Sequence, residues 1–195
     1  MIQSGIGLYI HIPWCEKKCP YCDFNAHALP VAHQLDPDLE TRYLNQLLHD
    51  LDEDIETFGI AAELTSLFFG GGTPSLLSSR GLGFLLAEIN KRLPITKTTE
   101  CTLEANPGSS DHAKFVGYRA AGINRLSIGV QSFSDPALQR LGRTHTRSEG
   151  KMPLLFALCK MLRSALPSGS VLPSVRTVAA RDPRGFMWVR ALWLA

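Results

Sequence analysis

Three cysteines fall within eight residues as Cys-x3-Cys-x2-Cys: Cys15, Cys19 and Cys22. Thiolates are soft, polarisable donors that suit iron–sulfur clusters and zinc. A [4Fe–4S] cluster held by only three cysteines has one iron without a protein ligand, which leaves a coordination position for a second molecule. A structural zinc site normally closes with four ligands, so the zinc reading needs His11 or His27 as the fourth. Five cysteines in all, an odd number, do not make a disulfide framework. Crowding three of them into one loop favours metal or redox chemistry over crosslinks. Cys101 and Cys159 lie in apolar stretches and read as small buried hydrophobes.

Four further segments carry groups that could serve a ligand of such a cluster. Phe69-Gly70-Gly71-Gly72-Thr73-Pro74 lets the backbone approach a ligand closely and adds the Thr73 hydroxyl, although a plain glycine turn is its bland reading. Glu104, in Leu103-Glu104-Ala105-Asn106-Pro107, could accept bonds from an ammonium or hydroxyl, against the commoner fate of a solvated strand-end charge. Gln131 follows Ile128-Gly129-Val130, and Arg143 stands in Leu141-Gly142-Arg143-Thr144-His145. A guanidinium suits carboxylate recognition because its planar fork makes paired bonds. His145 is assigned no chemistry.

The elements that must position these groups are legible in the hydrophobic pattern. Alternation marks strands at Leu8, Ile10 and Ile12; at Leu64 with Leu67-Phe68-Phe69; at Cys101 and Leu103; and at Leu126, Ile128 and Val130. Helical patterns predict helices over about 38–58, 78–93, 109–121 and 135–141, with Gly59 and Gly122 suited to helix ends. Strand–helix repetition predicts an α/β fold with parallel strands and outer helices, a TIM-like barrel or part of one. Strand parity then turns Tyr9, His11, Thr102, Glu104, Arg125, Ser127 and Gln131 toward the interior. Active sites in such folds lie at the carboxyl ends of the strands, so the cysteine loop, the glycine loop, Glu104 and Gln131 should converge.

Tyr9-Ile10-His11-Ile12-Pro13-Trp14-Cys15 before the motif and Pro20-Tyr21-Cys22-Asp23-Phe24-Asn25 at its end resemble the radical S-adenosylmethionine (SAM) superfamily. Within it the wording is similar to the oxygen-independent coproporphyrinogen III oxidase-like group, in particular its HemW-type heme-chaperone branch. The resemblance covers about residues 6–149 and implies a partial barrel of the radical SAM type. It implies a [4Fe–4S] cluster on Cys15, Cys19 and Cys22 whose unique iron binds the amino and carboxylate groups of SAM. It further implies SAM contacts from Gly71, Gly72 and Thr73 (methionyl end), Glu104 (methionyl part), Gln131 (ribose) and Arg143 (carboxylate side). Tyr9 matches a tyrosine near the cluster and SAM, with core packing as its rival. Heme, a heme-accepting respiratory protein and an electron donor are the partners the chaperone branch implies.

Two departures qualify the resemblance. Oxidases of the group carry a fourth cysteine two residues after the last ligand, where this chain has Phe24, which points away from oxygen-independent coproporphyrinogen III oxidation, the alternative function the resemblance implies. Family members are also about twice as long, and the expected continuation after Arg143 is replaced. Residues 1–150 hold 17 acidic and 13 basic side chains, whereas 151–195 hold seven basic ones and Asp182 alone as an acid. The expected organisation is therefore the N-terminal part of a radical SAM core over 1–149, followed by a divergent basic tail over 150–195. The tail reads as the product of an internal deletion or frameshift, with a membrane-surface or nucleic-acid tail as the alternative; a zinc-stabilised binding module is the reading from another class. A core ending after four strands would leave the fourth with an open edge, a risk of aggregation and impaired activity. The net charge of +2 implies no particular partner, and no nucleic acid is expected. No apolar run approaches the roughly 20 residues of a membrane span, and the start lacks the regions of a signal peptide, so a cytoplasmic location is expected.

Overall fold

The computed structural model describes residues 5–30, 35–107, 109–151, 176–181 and 187–192, of which 109–113, 176–181 and 187–192 are described by their backbone alone. Strand β1 (Ile6–Ile12) leads into a short β2 (Trp14–Cys15) and β3 (His27–Ala28). Then α1 (Pro37–Phe58), β4 (Leu64–Gly71), a 3-10 turn at Pro74–Leu76 and α2 (Ser79–Arg92) follow. They are succeeded by β5 (Ile95–Ala105), α3 (Ser109–Ala121), β6 (Arg125–Gln131), α4 (Asp135–Arg140), β7 (Arg176–Arg181) and β8 (Met187–Leu192).

Local chemistry places the helix ends. The Asp36 carboxylate accepts the Leu39 amide at 2.8 Å with Pro37 in the first turn, and Gly59 closes α1 in the left-handed conformation at φ 60°. Leu44, Leu48 and Leu51 recur every three or four residues and are buried on one face. Those side chains join Leu82, Leu85 and Ile89 of α2 and Phe115 and Tyr118 of α3 against Ile10, Ile12, Leu67, Phe69, Leu103, Leu126, Ile128 and Val130 of the sheet. Helix α1 packs on α2 and α2 on α3, a layer over one face of the strands.

β1, β4, β5 and β6 are mutually parallel neighbours, as the alternating strand–helix pattern requires. The sheet does not stop there. β8 pairs antiparallel with β6, Arg125 opposite Leu192 and Gln131 opposite Met187, and β7 pairs antiparallel with β8. The expectation of an open edge on β6 is therefore corrected: the tail supplies a hairpin that covers it. The physical reason is that a strand edge presents unpaired N–H and C=O groups, which any segment able to extend can satisfy through its backbone alone. The sheet order is β1-β4-β5-β6-β8-β7, an open sheet rather than a closed barrel.

Candidate functional site

The cysteine loop leaves β1 and is pinned at its base. His27 N donates to Pro13 O at 2.7 Å and Leu29 N to Cys15 O at 2.8 Å, which makes the β2–β3 pair. Within the loop Cys22 N donates to Cys19 O at 3.1 Å. Cys15 is buried, and Cys19 and Cys22 are partly exposed. Burial pushes the Cys15 thiol up; a hydrogen bond from the Thr73 side chain pulls it down. His11 is held on both sides: its Nδ1 meets the Tyr9 hydroxyl at 3.1 Å and its Nε2 donates to Asn25 O at 2.8 Å, which sets the tautomer.

The glycine loop docks directly on this base. Gly72 N donates to Ile12 O and Thr73 N to Trp14 O, each at 2.7 Å. A Cβ on Gly72 would run into the Trp14 carbonyl, and Gly71 sits at φ 104° against the His11 ring. Glycine is required here for close backbone approach and for a left-handed conformation. These two amides are spent on joining the loops, and the buried Thr73 side chain bonds to Cys15. From below, the buried Tyr118 hydroxyl donates to Ser75 O at 2.7 Å, and the Glu40 carboxylate accepts Ser78 N at 2.6 Å, fixing the turn after Pro74.

Glu104 stands at the end of β5. Burial pushes its carboxyl up to about 7, while a hydrogen bond from the Gly71 backbone pulls the other way. Gln131 ends β6 at φ 63°, the positive-φ non-glycine residue among those described. Arg143 ties three pieces together: Nη2 donates to Asn106 Oδ1 and to Gly129 O, each at 2.8 Å, and Nη1 approaches Cys19 Sγ at 3.6 Å. Gly129 leaves room for the Gln131 amide, since a Cβ there would sit a tight 3.2 Å from Gln131 Nε2.

These groups line one cavity of about 260 Å³. Cys15, Cys19, Cys22, Gly71, Gly72, Thr73, Glu104, Gln131 and Arg143 all border it, although they come from five separate stretches of chain. Tyr9 does not: its ring stacks on Phe68 at 6.2 Å and it is 55% exposed. Other lining residues, not expected as ligand contacts, include Asn106, Ser127, Gly129, Tyr21 and Phe24. Ser127 carried a signal in its inward strand parity, Phe24 in its place two residues after Cys22, and Asn106 in its place two residues after Glu104 at a strand end.

The superfamily described as "Radical SAM superfamily" matches residues 9–151. The chain belongs to it. Among radical SAM relatives, the chain is 48% identical over 161 residues to the heme chaperone HemW of Escherichia coli (strain K12), which spans 82% of this chain and 40% of that protein. It is 47% identical over 162 residues to the heme chaperone HemW of Haemophilus influenzae, spanning 82% and 41%. Its fold matches a solved structure, the coproporphyrinogen III oxidase (HemN) from Escherichia coli, with a TM-score of 0.67 and 24% identity over 89% of this chain and 38% of that one. The chain thus spans about two fifths of the length of the curated relatives it matches.

The residues present fit a radical SAM cofactor pair. Cys15, Cys19 and Cys22 are free thiols that border one cavity, soft donors of the kind an iron–sulfur cluster takes. Gln131 Oε1 and Arg143 Nε are buried without a partner, polar atoms that a bound ligand would satisfy. No helix among the described residues is long and apolar enough to cross a membrane.

Proposed function

We propose that Cys15, Cys19 and Cys22 hold a [4Fe–4S] cluster and that SAM lies in the adjoining cavity against Gly71, Gly72, Thr73, Glu104, Gln131 and Arg143. The observation that carries this reading is the convergence of all nine residues on a single cavity. Glu104 would accept from the N–H of the amino group, Gln131 would meet the ribose hydroxyls and Arg143 the carboxylate side, in keeping with their chemistry. When bound, the cluster supplies an electron to the sulfonium of SAM. The residues around it bind, orient and exclude water. Residues 1–149 are proposed as the N-terminal part of the radical SAM core, and 150–195 as a divergent segment whose strands complete the sheet edge.

We further propose that the protein handles heme as a chaperone, passing it to a respiratory protein, with an electron donor serving the cluster and a cytoplasmic location. Its support is the similarity to relatives named as heme chaperones, together with Phe24 where the oxidases of the group carry a cysteine. Anaerobic reconstitution followed by iron and sulfide analysis, SAM binding and heme titration tests the reading. Bound iron and sulfide with micromolar SAM affinity and saturable heme binding are expected; zinc alone, or decarboxylation of coproporphyrinogen III, would overturn it.

A further inference from the structure

His145 lies outside the cavity lining and is nonetheless buried, only 5% exposed, behind the end of β6. Its Nε2 stands 3.0 Å from Val130 O. A carbonyl only accepts, so Nε2 carries the proton; Nδ1 is buried without a partner and is then a bare lone pair on a neutral ring. The same Val130 carbonyl accepts the Ser132 amide at 2.7 Å, across Gln131 at φ 63°. A bond from residue i+2 back to i about a positive-φ residue is the rare, strained form of the γ-turn. Such a conformation persists when its surroundings over-determine it.

The surroundings here are built for that. Thr146 and Glu149 form a reciprocal cap, Thr146 N to Glu149 Oε2 at 2.8 Å and Glu149 N to Thr146 Oγ1 at 3.4 Å, so a helical turn starts immediately after His145. Arg147 N donates to Asp135 Oδ1 at 2.6 Å, tying that turn to α4. Gly150 allows close packing, since a Cβ there would come within 3.1 Å of Val130 Cγ1 and 3.7 Å of His145 Cδ2. The imidazole is thus fixed from one side, and the strand end is fixed by the imidazole.

We propose that His145 is a positioning residue: its Nε2–H holds the Val130 carbonyl so that Gln131 leaves β6 in the γ-turn with its amide fixed in the cavity beside Arg143. This rests on the reading that the cavity takes SAM, with Gln131 meeting the ribose. Without the bond the carbonyl keeps only the strained turn partner, β6 relaxes at its end, and Gln131 loses its fixed place relative to Gly129 and Arg143.

The test compares His145→Leu, which fills the volume without a donor, with His145→Gln, whose amide nitrogen can reach as the imidazole Nε2 does. In the anaerobically reconstituted full chain, His145→Leu is expected to keep its iron and sulfide while SAM affinity falls about tenfold and the Ser132 amide exchanges about tenfold faster. His145→Gln is expected to stay within about threefold of the parent in both. Unchanged affinity and Ser132 exchange in a folded His145→Leu protein, or a folded Gln variant that fails like Leu, would overturn the proposal. If the parent takes up iron but binds no SAM, the proposed function fails on its own, and Ser132 exchange still decides the role of His145. If the Leu variant does not fold, His145→Asn, whose amide is too short to reach, is expected to show the same losses and refutes the proposal if it does not.

Discussion

Two halves of the sheet serve the cavity in different ways. β1, β4, β5 and β6 run parallel, so the residues at their carboxyl ends, from Ile12 through Gly71 and Ala105 to Gln131, lie along one rim. The connections between the parallel strands pass through α1, α2 and α3, which bury the other face and leave the rim loops to chemistry. β8 runs the opposite way: it begins opposite Gln131 and ends opposite Arg125. It satisfies backbone groups on β6 without adding a strand end to the site in the same sense. The parallel half carries recognition, and the antiparallel pair carries edge closure. Changes in the first should therefore alter the ligands and spare the fold, and changes in the second should do the reverse.

The largest effect is expected at the cysteines. Replacing Cys22 by Ala removes one of three thiolates and leaves a [4Fe–4S] cluster with two protein ligands. Iron and sulfide after reconstitution should fall to near background and SAM cleavage with them. The melting profile of the unreconstituted chain should barely move, because Cys22 is partly exposed and outside the apolar core. A variant that keeps a full cluster would break the assignment.

Next is the hairpin. β8 lies between β6 and β7, so each of its backbone amides faces one neighbour or the other. A proline anywhere inside it removes a ladder bond, and Val189→Pro should cost about 3 kcal/mol of stability and increase aggregation. Iron content and SAM affinity per folded molecule should stay at the parent values. Loss of SAM affinity in the soluble, folded fraction would show that the two halves are not separable as argued.

A third effect concerns Glu104. Its carboxyl titrates at about 7 in the unliganded fold, raised by burial above the ordinary value near 4.3 in an unfolded chain. The folded state therefore holds a proton that the unfolded state has released between about pH 4 and 7. Stability is lost progressively across that window as pH rises and levels off above it. An amino N–H donor bonds better to the carboxylate than to the acid, so SAM affinity should climb through pH 7. Glu104→Gln should flatten that climb, weaken SAM about 10- to 100-fold at pH 8, and raise the melting temperature of the unliganded chain at pH 8 but not at pH 4.5. Isothermal titration at three pH values and a parallel set of melting curves check both signs.

Much of this arrangement was readable from sequence where a local rule applied. Alternation located β1, β5 and β6, Gly59 and Gly122 marked helix ends, and the cysteine and glycine motifs named the cavity wall. The start of β5 was missed because Thr96-Lys97-Thr98-Thr99-Glu100 is polar, and only Thr99 of these is buried. Pairing through the backbone, as in β2–β3 and the β7–β8 hairpin, leaves little trace in side-chain pattern. His145 and Asn106 act through partners 15 and 37 residues away, and no local spacing encodes such contacts.

Asn106 offers the smallest and sharpest test of the parallel half. Its Oδ1 accepts Arg143 Nη2 at 2.8 Å, which links the end of β5 to the segment after α4 and holds the guanidinium within 3.6 Å of Cys19 Sγ. Arg143 keeps Gly129 O as a second acceptor, so removing Asn106 loosens the group without freeing it. Asn106→Ala should therefore cost about 1 kcal/mol of SAM binding, roughly fivefold in affinity, with cluster content unchanged. Asn106→Asp should not be neutral either: a carboxylate pairs more strongly with Arg143 and adds negative charge to the rim that already holds Glu104. Weaker SAM binding in Ala than in Asp would assign the residue to aiming Arg143; the reverse order would assign the dominant effect to charge at the rim.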